Sequence, residues 1–267
     1  MPIIQASSLT KSFPGPAGTI AALGPLDLTV TAGEFVCIVG PSGCGKSTLL
    51  RLIAGLEDAT SGAFTLAAPA DSERPFNAMV FQGDSTFPWM TVHENVEYGL
   101  RMQGVRERQR AATVAEMLGV VGLTGFAEAY PYQLSGGMRQ RVALARAFAN
   151  DPDVLLMDEP FGALDEQNRV LLQEELLRIW ERPAAGKQGK TVLFVTHSID
   201  EALVLADRVL VMSAAPGRIV DEIRVPFERP RRVYDLKRDP QFGESAYRAW
   251  EKLRAEVNQS RGVMRNA

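Results

Sequence analysis

Short apolar runs alternate along this chain with longer segments in which apolar residues recur every three or four positions. The run FVCIV at Phe35–Val39 predicts a buried strand, and the amphipathic segment at 47–56 predicts a helix soon after it. Later runs of the same kind predict further core strands at 78–81, 154–157, 192–195 and 209–212. Strands that alternate with helices form a mostly parallel sheet covered by helices, so the predicted fold class is α/β.

Three stretches depart from this alternation. Residues 3–30 alternate more loosely and contain turn residues, which predicts an antiparallel edge sheet. Between 92 and 150 the strand pattern gives way to helical patterns broken by glycines, which predicts an inserted helical subdomain at about 88–150. The polar, glycine-containing segment at 181–190 predicts a surface loop.

The C-terminal part of the chain is predicted to be separate from the main domain. A connector with proline and arginine begins after residue 225, and we predict a main domain at 1–225 and a C-terminal tail at 226–267. The tail is expected to contain a short helix at 244–257 that packs on the domain through one face: Tyr247, Trp250, Leu253 and Val257. The basic run at 228–232 is expected to be solvated, with contact to lipid headgroups or a partner as the alternative.

Composition narrows the class of protein. The 267 residues are 46% hydrophobic and 23% charged, as in compact globular domains, and the net charge of −3 weighs against a nucleic-acid partner. No apolar run approaches the roughly 20 residues that span a membrane, and no signal peptide is apparent, so we expect the chain to remain in the cytoplasm. Cys37 and Cys44 are expected to be reduced thiols. Cys44 is interpreted as a small loop residue, with a reactive thiol near helix N-terminal amides as the alternative.

A glycine-rich motif follows the first predicted core strand. It matches G-x-x-x-x-G-K-[ST] and lies between a strand and a helix, as that motif requires: Gly40, Pro41, Ser42, Gly43, Cys44, Gly45, Lys46, Ser47 and Thr48. Such a loop points backbone N–H groups at phosphate oxygens. Lys46 is predicted to reach the β- and γ-phosphates, Ser47 to supply an oxygen to Mg²⁺, and Thr48 to help hold the phosphates.

Two acids end the predicted strand at 154–157. Asp158 and Glu159 are expected to emerge at the carboxyl edge of the sheet, where a nucleotide lies in such folds. Asp158 is placed to bind the shell of Mg²⁺, and Glu159 to orient or deprotonate the attacking water. The alternative is that the two acids are only solvated. The presence of the phosphate-binding motif in the same chain disfavours that alternative. A RecA-like P-loop ATPase is therefore predicted.

The segment LSGGMRQR at 134–141 resembles the signature motif of ABC-type ATPases, and it lies between the two elements above as in that family. The resemblance covers most of the chain and implies further roles. Gln82 corresponds to the Q-loop glutamine, which also contacts Mg²⁺, Asp165 ends the D-loop, and His197 corresponds to the switch histidine. Phe13 takes the position of the aromatic residue that stacks on adenine, commonly a tyrosine in the family.

The signature is also a second anion-binding helix start, formed by the Ser135 hydroxyl and the Gly136 and Gly137 amides. The resemblance implies that this element closes over ATP held by a second copy of the chain, in a head-to-tail dimer. The consecutive apolar residues at 87–90 are expected to dock on a membrane subunit, as the family does there. The alternative is that Trp89 packs into the helical subdomain.

The segments at 87–100, 195–203 and 227–242 are similar to importer ATPases of the nitrate, sulfonate and taurine type. That resemblance implies transmembrane permease partners, an extracytoplasmic substrate-binding protein and a place at the cytoplasmic face of the membrane. The alternative is a soluble ABC ATPase that acts on nucleic acid or in a protein complex, although the chain lacks the long coiled-coil insert, fused second cassette or basic face usual there. A subunit without hydrolysis would lack Lys46, Glu159 or His197, and all three are present.

Overall fold

Strands and helices are interspersed along the chain. The structure, a computed structural model, describes residues 1–16, 18–67, 75–181 and 189–265, so the loop predicted at 181–190 lies mostly outside the described residues. The elements are β1 (Pro2–Gly15), β2 (Gly18–Thr31), β3 (Phe35–Val39), α1 (Lys46–Ile53), β4 (Ser61–Leu66), β5 (Asn77–Val80), α2 (Val92–Met102), α3 (Glu107–Val120), α4 (Gly136–Ala149), β6 (Val154–Asp158), α5 (Glu166–Glu181), β7 (Thr191–Val195), α6 (Ile199–Leu205), β8 (Arg208–Met212), β9 (Ile219–Arg224), α7 (Val233–Leu236) and α8 (Pro240–Arg265). The chain divides into two compact units, Met1–Ala67 with Glu181–Ala267 and Ala68–Trp180.

The first unit is built on a mostly parallel sheet. Strand β3 lies between β7 and β8 and pairs with both in parallel, and β9 extends the sheet in the antiparallel sense beside β8. Every residue of β3 and β7 is buried, which explains their continuous apolar sequences. The predicted α/β class and the predicted strands in this unit are confirmed. Strand β9, which was not predicted, alternates between half-buried and exposed residues.

A separate antiparallel sheet completes the first unit. Strand β1 is its centre, with β2 on one side and β4 on the other. The antiparallel sheet predicted for residues 3–30 is therefore confirmed, and β4 adds a third strand that the sequence did not reveal. Helix α1 begins at the end of the glycine-rich loop and buries the apolar face that its spacing predicts, including Leu49, Leu50 and Ile53.

The C-terminal helix differs from its prediction in length and in orientation. Helix α8 has 26 residues, from Pro240 to Arg265, and packs against α6 and β8. Between residues 240 and 258 its buried residues are Phe242 and Ala249, whereas Tyr247 is 63% and Trp250 is 53% exposed. The predicted packing face was wrong for these two aromatic residues, while its other two members, Leu253 and Val257, are half-buried.

Two arginines of the basic run at 228–232, Arg229 and Arg231, are bound within the protein. The prediction that this run is solvated is therefore wrong for these two residues. Arg231 is only 6% exposed and donates to the carbonyl oxygens of Val204, Ala206 and Phe227. Arg229 donates to the Leu205 carbonyl and pairs with two acids. The last carbonyl groups of a helix lack partners within it, and here two guanidinium groups satisfy those at the end of α6.

The second unit combines helices with a pair of parallel strands. Strands β5 and β6 pair in parallel, and α2, α3 and α4 pack on one another, with α4 also against β5. Helix α2 begins at a reciprocal cap, in which the Thr91 hydroxyl accepts from the Glu94 N–H and the Glu94 carboxylate accepts from the Thr91 N–H. The helices predicted between 92 and 150 are thus confirmed. The proposed domain limits at 88–150 and 225 remain predictions.

Candidate functional site

The glycine-rich loop joins β3 to α1 in the first unit. Gly43 and Gly45 have φ angles of 75° and 101°, in the left-handed region where glycine is favoured. Gly45 is the N-cap residue directly before α1, and its carbonyl accepts the first helical N–H, from Leu49. The backbone of the loop thereby turns at two glycines directly before the N-terminus of α1, which is the arrangement that the phosphate-binding motif requires.

Neighbouring atoms lie so close to this loop that only glycine fits at three positions. A Cβ at Gly40 would lie 2.9 Å from the Cys44 sulfur, and one at Gly45 would lie 2.6 Å from a Leu23 methyl group. A Cβ at Gly217 would overlap the carbonyl oxygen of Cys44. Gly217 was missed in the sequence, where its only signal is the turn dipeptide Pro-Gly between two apolar stretches.

Lys46 lies at the centre of the loop. It is 6% exposed, and its ammonium group donates to the carbonyl oxygens of Gly40 and Pro41, each at 2.9 Å. Ser42 and Gly43 are exposed, and Ser47 and Thr48 are half-buried at the start of α1. The loop therefore combines one buried cation with exposed residues at Ser42 and Gly43, a combination that suits a polyanion.

Cys44 is a packing residue in this loop. Its side chain is 1% exposed, and burial raises the pKa of the thiol above its ordinary value despite the nearby Lys46 ammonium. A raised pKa reduces the fraction of reactive thiolate. The structure therefore favours the interpretation of Cys44 as a small buried loop residue over a reactive thiol.

Two further predicted residues lie in the first unit. Phe13 is on β1, opposite Ile20 of β2, and is half-buried. His197 is exposed in the short turn between β7 and α6. That turn is held by Thr196, whose hydroxyl donates to the Glu201 carboxylate and accepts from the Ser198 N–H.

The Ser198 hydroxyl in turn accepts from the Glu201 N–H and caps α6. The capping pattern Ser-x-x-Glu was visible in the sequence, but its use in placing His197 was not.

The acidic pair lies at the end of β6 in the second unit. Asp158 is the last residue of the strand and is 3% exposed. Glu159 follows it with a φ of 47°, a left-handed conformation that is uncommon outside glycine and concentrated at functional sites. The Gln82 side-chain amide donates to the Glu159 carboxylate at 3.1 Å. The structure thus brings together two predicted residues that are 77 positions apart.

The signature segment also lies in the second unit, at the start of α4. The Ser135 hydroxyl accepts from the Met138 N–H and caps the helix. A Cβ at Gly137 would lie 3.2 Å from a Leu164 methyl group, so this glycine allows the helix start to approach the D-loop. Asp165, at the end of that loop, accepts from the N–H of Asn168, which lowers the pKa of its carboxyl group. It caps the first turn of α5.

An exposed aromatic surface follows Gln82 in the same unit. Trp89 is 69% exposed, so it does not pack into the helical subdomain as the alternative required. Its ring centroid lies 5.7 Å from that of Phe87, which is covered by the Arg146 guanidinium at 4.8 Å. Arg146 also donates to the Ser85 carbonyl and hydroxyl. The segment carrying Trp89 is therefore attached to helix α4.

Asn95 attaches the same segment to helix α2. Its side chain is fully buried, accepts from the Phe87 N–H at 2.8 Å and donates to the carbonyl oxygens of Phe87, Met90 and Thr91. A single amide thus replaces the hydrogen bonds that a turn of regular structure would supply. Asn95 was not singled out in the sequence, because an asparagine within a helical pattern gives no sign of what it binds.

Two features of the described residues bear on the class of site. They contain no cluster of three or more His, Cys, Asp or Glu side chains of the kind that holds a metal ion on its own. Within the same described part of the chain, no helix combines the length and apolar character needed to cross a bilayer.

Comparison with known proteins identifies the family. Residues 23–162 match the ABC transporter family. An uncharacterized ABC transporter ATP-binding protein of Methanocaldococcus jannaschii is 48% identical over 85% of this chain and 84% of its own length. The nitrate import ATP-binding protein of Synechocystis is 47% identical over 90% of each chain, and a taurine import ATP-binding protein of Jannaschia is 46% identical over 85% of this chain and 84% of its own.

Solved structures agree with this assignment. A dimeric ATP-binding cassette in a post-hydrolysis state with ADP and Pi has a TM-score of 0.74 and 32% identity, and it covers 84% of this chain and all of its own. A phosphate-binding loop before a helix and an acidic strand end define a P-loop ATPase. With the signature segment and these relatives, the chain belongs to the ABC transporter family as an ATPase subunit.

Proposed function

We propose that this chain is the ATP-hydrolysing subunit of an ABC importer for a small anion of the nitrate, sulfonate and taurine class. The observation that carries the proposal is the 47% identity over 90% of both chains with a nitrate import ATP-binding protein. The similarity to a taurine import protein at 46% identity supports the same class of cargo. Both relatives align beyond the ATP-binding motifs, since 85% to 90% of this chain is covered.

The loop at residues 40–48 fits the triphosphate of ATP. Its exposed amides at Ser42 and Gly43 and the buried Lys46 ammonium present donors to phosphate oxygens, and Thr48 adds a hydroxyl. Lys46 now binds neutral carbonyl oxygens, and phosphate oxygens make stronger, charge-assisted hydrogen bonds with it. The close contacts at Gly40, Gly45 and Gly217 leave no room for a larger side chain at these positions around the loop.

Mg²⁺ is proposed to accompany the nucleotide. It would be held by the Ser47 hydroxyl, the Asp158 carboxylate and the Gln82 amide oxygen, and it would supply charge neutralisation on the phosphates. Mg²⁺ in nucleotide sites takes few protein ligands and keeps waters and phosphate oxygens for the rest.

Glu159 is proposed to activate the attacking water. Its carboxylate accepts a proton as the water oxygen bonds to the γ-phosphorus, and the bond from that phosphorus to the bridging oxygen breaks, so that ADP leaves with the electron pair. The hydrogen bond from Gln82 orients the carboxylate. His197, fixed by the Thr196 and Ser198 contacts, is proposed to contact the γ-phosphate.

A head-to-tail dimer with a second copy is part of the proposal. Ser135, Gly136 and Gly137 form the start of α4 and offer amides and a hydroxyl to the γ-phosphate of ATP held by the other copy. Asp165 is proposed to face the same nucleotide. The solved cassettes of similar fold, 32% and 33% identical to this chain, are dimeric, which supports this arrangement.

The membrane partners are proposed to be two permease subunits, served by an extracytoplasmic substrate-binding protein. The surface at Phe87 and Trp89 is the proposed docking point, because it exposes a large aromatic side chain on a segment held by Asn95 and Arg146. An exposed, rigid aromatic residue is typical of the centre of an interface. The chain would then lie at the cytoplasmic face of the membrane.

Hydrolysis and the role of Glu159 are tested together. The purified chain should hydrolyse ATP, and Glu159→Gln should lower the rate by about 10²- to 10⁴-fold, the usual contribution of a general base. ATP binding should persist, and a nucleotide-bound dimer should accumulate in size-exclusion chromatography. Glu116→Gln, an exposed site on α3, is the matched control. Normal turnover in Glu159→Gln would remove this residue from the role of base.

The importer assignment has its own test. Trp89→Ala should uncouple transport in reconstituted vesicles that contain the permeases while basal ATPase activity and the unfolding temperature stay near the parent values. A soluble ABC ATPase acting on nucleic acid or in a protein complex is the alternative. ATPase activity that DNA or RNA stimulates and permeases do not would favour that alternative.

A further inference from the structure

Lys11 has an unusual environment for a lysine on a surface strand. Its ammonium group lies 4.8 Å from the centroid of the Phe13 ring, in a cation–π contact. The same group pairs with the Glu57 carboxylate at 2.9 Å and donates to the Asp58 carbonyl at 2.8 Å. Only 11% of the Lys11 side chain is exposed. The cation is therefore held over the aromatic ring and is largely shielded from water.

The shielding of the Lys11 ammonium group from water determines the strength of its contact with the Phe13 ring. A lysine charge removed from water is costly unless it gains partners, and here a carboxylate and a carbonyl provide them. Both partners fix the ammonium group at one position, so the attraction between cation and ring holds the Phe13 ring in one orientation. One face of that ring is thereby occupied by Lys11, so a planar base would have to cover the opposite face.

The partners of Lys11 also connect the ring to the phosphate loop. Glu57 and Asp58 belong to the short segment between α1 and β4, and α1 begins at Lys46. Backbone bonds reinforce the junction, since Thr60 donates to the Thr10 carbonyl at 2.9 Å. Helix α1 has eight residues, a length of about 12 Å. The segment that follows this rigid spacer thus fixes the position of Phe13.

We propose that Lys11, held by Glu57, is a positioning residue that orients Phe13 for stacking on the adenine of ATP. This inference rests on the proposed function, in which the chain binds ATP and Phe13 contacts its base. Lys11 itself touches no part of the nucleotide in this scheme. It acts by fixing the ring and its distance from the phosphate loop.

Lys11→Met tests the proposal, because it keeps the length of the side chain and removes the charge. We expect the KM for ATP to rise roughly three- to tenfold, the range that a partly desolvated cation–π contact supports, with a smaller change in kcat. Lys11→Arg should restore most of the affinity, since arginine also makes cation–π contacts. Glu57→Gln, which releases the ammonium group, should have an intermediate effect.

A ligand without a base separates positioning from general damage. Inorganic triphosphate competes at the phosphate loop, and its inhibition constant should stay the same in Lys11→Met while the KM for ATP rises. Lys252→Met is the matched control, because Lys252, on α8, also makes an ion pair, with Asp221 at 2.8 Å. Equal losses of affinity for ATP and for inorganic triphosphate would overturn the proposal, since they would mean that the loop itself is distorted.

Variants of Phe13 separate failure of the inference from failure of the proposed function. In a Phe13→Ala background, Lys11→Met should have no further effect on ATP affinity. A full additional loss there would overturn the role of Lys11 while leaving Phe13 in place. Undiminished ATP affinity in Phe13→Ala would overturn both the adenine contact and the positioning role. A wild-type chain that neither binds nor hydrolyses ATP would overturn the proposed function itself.

Discussion

The buried Asn95 amide should be a main determinant of the exposed aromatic surface. It makes one accepted and three donated hydrogen bonds to the backbone at Phe87, Met90 and Thr91. Two amide hydrogens serve three carbonyl oxygens, so at most three of the four bonds count as independent. At about 1 kcal/mol of net stability each, Asn95→Leu should lower the free energy of unfolding by about 3 kcal/mol.

Thermal unfolding followed by circular dichroism measures this loss. For a chain of this size, about 3 kcal/mol corresponds to a fall in Tm of roughly 6 to 12 °C. Asn95→Asp should cost at least as much, because it presents an acceptor to three carbonyl oxygens. Asn258→Leu, at an exposed site on α8, is the matched control. A Tm for Asn95→Leu within about 2 °C of the control would refute the reasoning, since buried backbone groups left without partners carry that cost.

The remaining predictions concern the signature, the phosphate loop and the C-terminal connector. Ser135→Arg should abolish ATPase activity without weakening ATP binding to the monomer, as equilibrium binding would show. Gly217→Ala should cost about 1–3 kcal/mol in denaturant unfolding through overlap with a loop carbonyl, and weaken ATP binding, while Gly119→Ala in open space should not. Arg231→Met should cost about 2–4 kcal/mol by leaving three carbonyl oxygens unsatisfied, with the exposed Arg232→Met as control.

The core strands of the first unit were predictable because their sequences record burial directly. Every position of strand β3 and strand β7 is buried, and the runs at 35–39 and 192–195 are continuously apolar. Strand β4 has no such continuous apolar sequence. Its residues at Ser61–Leu66 are exposed or half-buried, because it is an edge strand held by backbone pairing with β1. Backbone pairing depends on position and not on side-chain type, so the sequence did not reveal it.

Charged and aromatic residues misled the prediction where local surroundings reverse their usual preference. Arg231 is buried because the open end of α6 supplies carbonyl acceptors, although burial lowers the pKa of its guanidinium group to about 10. Tyr247 and Trp250 are exposed because α8 approaches its neighbours through Ala249. In both cases the neighbouring element is α6, which is distant in sequence. The local sequence pattern therefore does not show the contact.

The motif residues could be identified from the sequence, but the contacts that position their side chains could not be predicted from it. Gln82 and Glu159 were identified separately, and only the fold brings their side chains to 3.1 Å. The same holds for His197, whose turn depends on the contact between Thr196 and Glu201. A motif specifies which chemical groups are needed. Their orientation comes from neighbouring side chains that any of several sequences could provide.

Helix α4 shows what such contacts add to function. It begins at the Ser135 cap and carries Arg139 and Arg146 two turns apart along its length. Arg139 pairs with Asp84 at 2.7 Å, and Arg146 binds Ser85 and covers the Phe87 ring. The segment that exposes Trp89 is thus bonded to the same rigid helix whose first turn is the signature. A displacement of that helix start must carry the aromatic surface with it unless these bonds break, and these bonds would couple ATP turnover to the partner that we propose docks there.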